Sequence, residues 1–501
     1  MKLSIKNLGP LKKGGTIDLD KRFYVFVGKN NSGKTYVANV LGRLFDFDKR
    51  KKGIEKVNLK IQFINDNQGF ILDQGDFESY IEISISDWIT NQLWTIFNTN
   101  KENFENTNLK ISGLYRTFLK KKLEIEYYWN FSTKGNTDEI IPTKGIRFNI
   151  RKEANSDKFV INRLDIPIDD RYKLARDSQA DFIETSTIIF LDEADMYDYL
   201  GRKLVTSITG LMFPTLPTFT KSPNPMLLPA HRAFFTSFWK YILRVQKDLL
   251  DEAYEARLEG KENIDYLLKT PYTDSTNDLI KAIEYLDRDQ QEINSYKDLI
   301  LELEELIGGS IVLEKGKEGG IGRMEMKYKI NETGKNLDMY LASSSVNQVT
   351  TLYLYLKYWA WESDNFLIVD EPEENLHPEN QIKLLNILAK FADRNNNKVL
   401  ITTHSTMMTE AVNNYVRMAY LKDKNVDTTE ITESSGLHEL EELGQDDFGV
   451  YYFGEGKIQE YKADEYGVFF KDFAKVEDEV RDTATLLKDK IYNITHPRTA
   501  K

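Results

Sequence analysis

The chain has 501 residues, 41% of them apolar, and a formal net charge of −12; that length allows two or three domains, or one large domain with insertions, around a sizeable core. It contains no cysteine, which excludes disulfides, Cys-ligated zinc, iron–sulfur clusters and thiol catalysis. The acidic balance excludes a uniformly nucleic-acid-coating protein and confines any DNA or RNA contact to local patches, while the lack of a signal pattern or long apolar run sets the expectation of a soluble cytoplasmic protein with no membrane contact.

The opening, MKLSIKNLGPLKKGGTIDLD, alternates around a turn and predicts a β-ribbon. FYVFV (23–27) then reads as a strand, GKNNSGKT (28–35) as a phosphate-binding loop, and TYVANVLGRLF as a helix. Strand, glycine loop and helix N-terminus is the context such a loop requires. Gly28 and Gly33 permit a turn that side chains would block, and the backbone N–H groups of Lys29, Asn30, Asn31, Ser32 and their neighbours form an anion nest at the positive end of the helix dipole. Lys34 is placed to reach the β- and γ-phosphates of a nucleotide and Thr35 to ligate Mg²⁺.

Residues 44–150 read as strand-rich and irregular, with basic clusters at Lys49–Lys52 and Lys120–Lys122 that fit solvated surface better than a nucleic-acid patch. IIFLDEAD (188–195) has the look of an acid-ended strand, but a helicase needs further motifs downstream and none occurs; the start of an acidic helix fits better. Residues 236–307 are helical, with apolar stripes at Ile242, Val245, Leu249 and Ala253 and at Leu279, Ile283, Leu286, Ile293, Ile300, Leu303 and Ile307. Gly260 and Pro271 separate the stripes, which predicts a helical hairpin or small lobe.

Strands resume at SIVLEK and RMEMKYKI, and Ser343-Ser344-Ser345 precede a long apolar helix whose start offers a second anion site. In FLIVDEPEENLHPE (366–379) a buried strand ends on Asp370 and Glu371. Asp370 is expected in the Mg²⁺ shell, directly or through water, and Glu371 as the group that polarises an attacking water, a role worth roughly 10²–10⁴-fold in rate. KVLITTHS (398–405) is a further strand ending on His404, placed to contact a γ-phosphate or that water. Residues 421–447 read as acidic loops, FGEGKIQE (453–460) as a strand, and about 470–492 as a closing amphipathic helix.

Together these motifs resemble the head of an ABC-type ATPase of the SMC, RecF and OLD lineage. The resemblance rests on IKNLGPLK…IDL with GKNNSGKT, on the signature-like ASSSVNQ, on IVDEPEENLHPE as Walker B with D-loop, and on TTHS as the switch histidine, covering about residues 1–45 and 340–410. It implies an α/β P-loop head with an N-terminal antiparallel β-subdomain: residues 1–235 and 311–501 form the two parts of the head and 236–310 a helical insertion. It implies ATP and Mg²⁺ as ligands, and a homodimer or an oligomer of dimers that sandwiches ATP. Ser343, Ser344 and Ser345 would then act in trans, and Asn375, Leu376 and His377 would lie at the seam. Serine stands where the family signature usually has glycine, which fits slow turnover. LPAHR (228–232) resembles an element of related ATPases, in which Arg232 either supports the nucleotide region or holds a turn. FGEGKIQE resembles the first acidic motif of TOPRIM nucleases, but no later Asp-x-Asp follows it.

Three functions compete. One is the ATPase subunit of an anti-phage system, of the PARIS or Septu kind, that answers a phage-encoded trigger and controls a separate effector such as a TOPRIM or HNH nuclease. Another is a RecF-like DNA maintenance ATPase, whose DNA affinity would fall steeply with salt. The third is a nucleotide-gated scaffold with little hydrolysis.

Overall fold

The computed structural model describes residues 1–46, 49–50, 63–64, 69–134, 140–166, 182–189, 225–258, 272–286, 292–315 and 324–495, with a few helical positions between 197 and 208. Strands β1 (Lys2–Lys6) and β2 (Gly15–Asp18) pair antiparallel as the opening alternation predicts, and lead into β3 (Phe23–Gly28) and helix α1 (Lys34–Phe45). Helix α2 (Glu82–Asn91) is followed by β4 (Asn108–Ser112), which joins the ribbon on the other side of β1. Strands β5 (Leu123–Lys134), β6 (Ile140–Lys152), β7 (Lys158–Ile166) and β8 (Phe182–Ile189) form a second sheet with the short segments Gly69–Ile71 and Phe63–Ile64.

Then come β9 (Met226–Leu228), α3 (Arg232–Ser237), α4 (Trp239–Leu258), α5 (Asp274–Glu284) and α6 (Lys297–Ile307). A small antiparallel sheet holds β10 (Gly309–Lys315), β11 (Met324–Ile330) and β12 (Asn336–Asp338). The last part alternates: α7 (Ser344–Leu354), β13 (Phe366–Asp370), α8 (Pro378–Ala392), β14 (Lys398–Thr403) and α9 (Thr406–Asp423). The chain closes with α10 (Thr429–Ser435), the hairpin β15 (Phe448–Gly454) and β16 (Lys457–Glu460), and α11 (Lys471–Thr495).

The central sheet has the order β9-β13-β14-β3-β15-β16, parallel except for β16. Strands β9, β3 and β13 are buried along their whole length, which is why they read as near-continuous apolar runs, whereas the edge strand β16 buries only Ile458. Phe23, Val25, Val27, Leu367, Val369, Val399 and Ile401 enter one core with helices α7, α8 and α9. Tyr24, Phe26, Phe366, Ile368 and Leu400 enter the other with α1 and the N-terminal strands. Leu279 and Ile283 of α5 and Leu299 and Leu303 of α6 join the first core, α5 packing on β9 and α6 on helices α7 and α8.

Four expectations are corrected. The stretch 44–150 is not strand-rich throughout: helical segments run from Gln74 to Ile96, and Phe77, Ile81, Ile85, Ile89 and Leu93 are buried. The alternation IEISI suggests a strand, but Ile83 is 51% exposed, so the four-residue spacing decides the packing. Lys49 and Arg50 are not solvated surface. The Lys49 ammonium meets Asp274 at 2.8 Å and Asp278 at 2.6 Å, and Arg50 is buried; Lys51 and Lys52 lie outside the described residues. Residues 421–447 include the last turn of α9 and all of α10. FGEGKIQE is a hairpin, turning at Glu455 and Gly456, both at positive φ. In IIFLDEAD, Ile188 and Ile189 end a strand of the second sheet, and Asp192 lies outside the described residues. Among the described residues no helix is long and apolar enough to cross a membrane.

Candidate functional site

The C-terminal ends of β3, β13 and β14 meet at one edge of the central sheet, and the motif residues follow them. The loop after β3 turns on two glycines. Gly28 has φ 144°, and a Cβ there would come within 2.2 Å of the Phe453 carbonyl oxygen. Gly33, at φ 101°, caps α1 in a left-handed conformation, with Leu11 Cγ 2.8 Å from any added Cβ. Lys29, Asn30 and Asn31 are exposed on the loop, and Asn31 sits at φ 58°. The Ser32 hydroxyl is buried with no hydrogen-bond partner. Lys34 is 5% exposed, and its ammonium donates to the carbonyls of Gly28 at 2.8 Å and Lys29 at 3.0 Å. Burial lowers the Lys34 pKa, against the pull of Glu371, Asp370 and Glu373.

Asp370 ties the loop to the neighbouring strands. Its carboxylate accepts from the Thr35 hydroxyl at 2.9 and 3.1 Å and from the Thr402 hydroxyl of β14. The backbone N–H of Glu371 donates to the Thr402 carbonyl and hydroxyl, both at 3.1 Å. Glu371 has φ 47°, a left-handed conformation uncommon outside glycine, held by those contacts. Its Oε1 lies 3.3 Å from Nδ1 of His404, whose side chain is 46% exposed. Glu373 approaches the same ring nitrogen at 3.9 Å, and its own carboxyl pKa is pushed up by burial.

Arg232, at the start of α3, is fully buried behind the acid pair. Its guanidinium donates to the carbonyls of Asp370 at 2.8 Å, Gln348 at 3.0 Å, Pro229 at 3.1 Å and Pro372 at 3.4 Å. The serine turn begins α7: Ser343 is the N-cap, accepting from the Val346 N–H at 3.3 Å, and Ser343 and Ser345 hydroxyls lie 2.8 Å apart. Ser343 and Ser344 are exposed. Asn375, at φ 59°, and His377, the N-cap of α8, are exposed too; Leu376, expected with them at a seam, is instead buried in the core.

Lys34, Thr35, Asp370, Glu371 and His404 are therefore brought together, whereas among the described residues Ser343–Ser345 make no hydrogen bond to the phosphate loop. The residues present fit a nucleoside triphosphate with Mg²⁺. The loop offers an unpartnered buried hydroxyl and a cation, and Thr35 with Asp370 offers the hard oxygen pair such a metal takes. Two contributors escaped the sequence reading, Thr402 and Glu373. The signal for each is its place in a motif already singled out, TTHS and DEPEEN.

A family model described as AAA ATPase domain matches residues 1–409. Among solved structures, the Smc head domain of Pyrococcus furiosus, with an extended coiled coil and bound to the C-terminal domain of ScpA, is 11% identical over 96% of this chain and 98% of its own, with a TM-score of 0.32. The SMC head domain of Thermotoga maritima is 10% identical over 92% of this chain and 98% of its own, with a TM-score of 0.28. The comparison with curated proteins found no match.

Proposed function

The chain belongs to the AAA ATPase domain family, and from that premise we propose that it binds and hydrolyses ATP between two copies of itself and uses that cycle to control a separate effector protein. Its fold is an α/β P-loop ATPase head. The observation that carries the reading is the hydrogen-bonded chain Thr35–Asp370–Thr402, which brings the phosphate loop, the acid-bearing end of β13 and the histidine-bearing end of β14 to one point.

In this reading the loop from Gly28 to Thr35 cradles the phosphates and Lys34 turns from the loop carbonyls to the β- and γ-oxygens. Thr35 and Asp370 hold Mg²⁺, which supplies charge neutralisation on the phosphate oxygens. Glu371 accepts the proton of a water whose oxygen bonds to the γ-phosphorus as the bond to ADP breaks, and His404 orients that water or the γ-phosphate. Ser343, Ser344, Ser345 and Asn375 complete the site of the second copy, a role supported by the exposure of Ser343, Ser344 and Asn375. Serine in place of the usual signature glycine, at Ser344 or Ser345, supports slow turnover.

The effector proposed is a nuclease of the TOPRIM or HNH kind in a bacterial anti-phage complex, released on a phage-encoded trigger. Affinity purification of Glu371→Gln with ATP from the native host, read by mass spectrometry, tests this. A stoichiometric nuclease or other toxic protein is the expected result. Recovery of DNA and repair proteins in its place would shift the reading to DNA maintenance.

A further inference from the structure

Glu373 lies in the loop after β13 with a side chain only 6% exposed, and its two carboxylate oxygens have different surroundings. One, Oε1, accepts from the Thr403 hydroxyl at 2.5 Å and from the His404 backbone N–H at 3.2 Å. The same oxygen lies 3.9 Å from His404 Nδ1, on the side of the ring that also faces Glu371 at 3.3 Å. The other, Oε2, is buried and has no hydrogen-bond partner.

We propose that Glu373 is a positioning residue for His404. It fixes the backbone at the end of β14 through Thr403 and the His404 N–H. It also presents negative charge to Nδ1, so that this nitrogen carries a proton and Nε2 is the atom turned toward the reacting groups. A histidine's second nitrogen is set by what the first one meets, and two carboxylates on the Nδ1 side leave it the donor. Thr403 is the mechanical link and Glu373 the electrostatic one. The inference rests on the reading of Glu371 and His404 as the hydrolytic pair.

The test compares full-length Glu373→Gln, Glu373→Asp and Thr403→Val with the unaltered protein in ATP turnover, with ¹⁵N spectra of the histidine ring recorded on the same samples. Glutamine keeps an oxygen for Thr403 and the His404 N–H but removes the charge. The expected result for Glu373→Gln is kcat down about ten-fold with KM nearly unchanged, and ring nitrogen shifts of His404 moved away from the Nδ1-protonated form. Glu373→Asp restores part of kcat, because it restores the charge. Wild-type kcat and unmoved His404 resonances in Glu373→Gln, together with lost activity in Thr403→Val, would reduce Glu373 to a loop anchor and overturn the proposal. If Glu371→Gln and His404→Ala also turn over normally, it is the hydrolytic pair itself that has failed.

Discussion

Arg232 donates a hydrogen bond to the backbone carbonyl of Asp370 at 2.8 Å, across 138 residues of chain. Its other donors go to Gln348 on the serine-capped helix and to Pro229 and Pro372, so one guanidinium joins the helix behind the serine turn to the end of the acid-bearing strand. All four partners are carbonyls. Burial brings the Arg232 pKa down to about 10, while Asp370, Glu374, Glu373 and Glu371 hold it up. Between the two sequence readings of this residue the geometry favours both at once: a structural pin placed where it supports the site.

Arg232→Met should therefore destabilise the fold by about 2–4 kcal/mol, because buried carbonyls lose their donor. Thermal unfolding of the nucleotide-free protein measures it. A variant as stable as the parent would show that water or a shifted side chain satisfies those carbonyls.

Lys34→Ala should weaken ATP binding by about ten- to a hundred-fold, the worth of a charge-assisted hydrogen bond. Glu371→Gln should bind ATP as the parent does and lose roughly 10²–10⁴-fold in kcat. Titration with fluorescent ATP and a phosphate-release assay separate the two effects. Normal hydrolysis by Glu371→Gln would put the base elsewhere.

Chelation of divalent metal should abolish turnover and leave the melting temperature of the nucleotide-free protein unchanged. Thr35, Asp370 and Thr402 already satisfy one another, so the fold does not depend on the ion. A fall of several degrees on adding EDTA would mean that the metal is structural.

Ser344→Arg should leave the monomer folded and block the ATP-dependent dimer. Ser344 is exposed in the first turn of α7, where a long side chain has room in one copy; in the proposed ATP sandwich it would collide with the second. Light scattering after size exclusion, with ATP in a Glu371→Gln background, reads the outcome; an intact dimer would remove Ser344 from the interface.

A fifth expectation concerns pH. Burial would raise the Asp393 pKa, but hydrogen bonds from His438 and from the N–H groups of Leu443, Glu441 and Glu442 outweigh it and hold the carboxyl below its ordinary range. A folded value below the unfolded one, which is about 3.9, adds stability that is complete above the unfolded value. That stability is lost as pH falls through the folded value. Asp393→Asn should thus melt earlier than the parent at pH 7, and the gap should close as the pH drops below about 4. A gap that stays constant into acid would show that the charge contributes nothing.

The phosphate loop, the acid pair and the histidine were legible because each is set by a short segment: a strand ending in a fixed run of residues, with glycines where the backbone needs them. Gly28 and Gly33 illustrate this, since positive φ and close approach at each leave no other residue a comfortable fit. The ribbon, the parallel strands and the closing helix were legible for the same reason, as local periodicity reports them. Residues 74–96 misled because IEISI alternates like a strand, and only burial against α1 and β4 selects the helix. Lys49 misled because its partners, Asp274 and Asp278, are far away in the chain. Thr402, Glu373 and the four-way grip of Arg232 belong to the same class. The sequence determined which chemical groups stand at the strand ends; only the tertiary structure decided which groups hold them, because hydrogen bonds and ion pairs between distant segments have no period for a sequence to display.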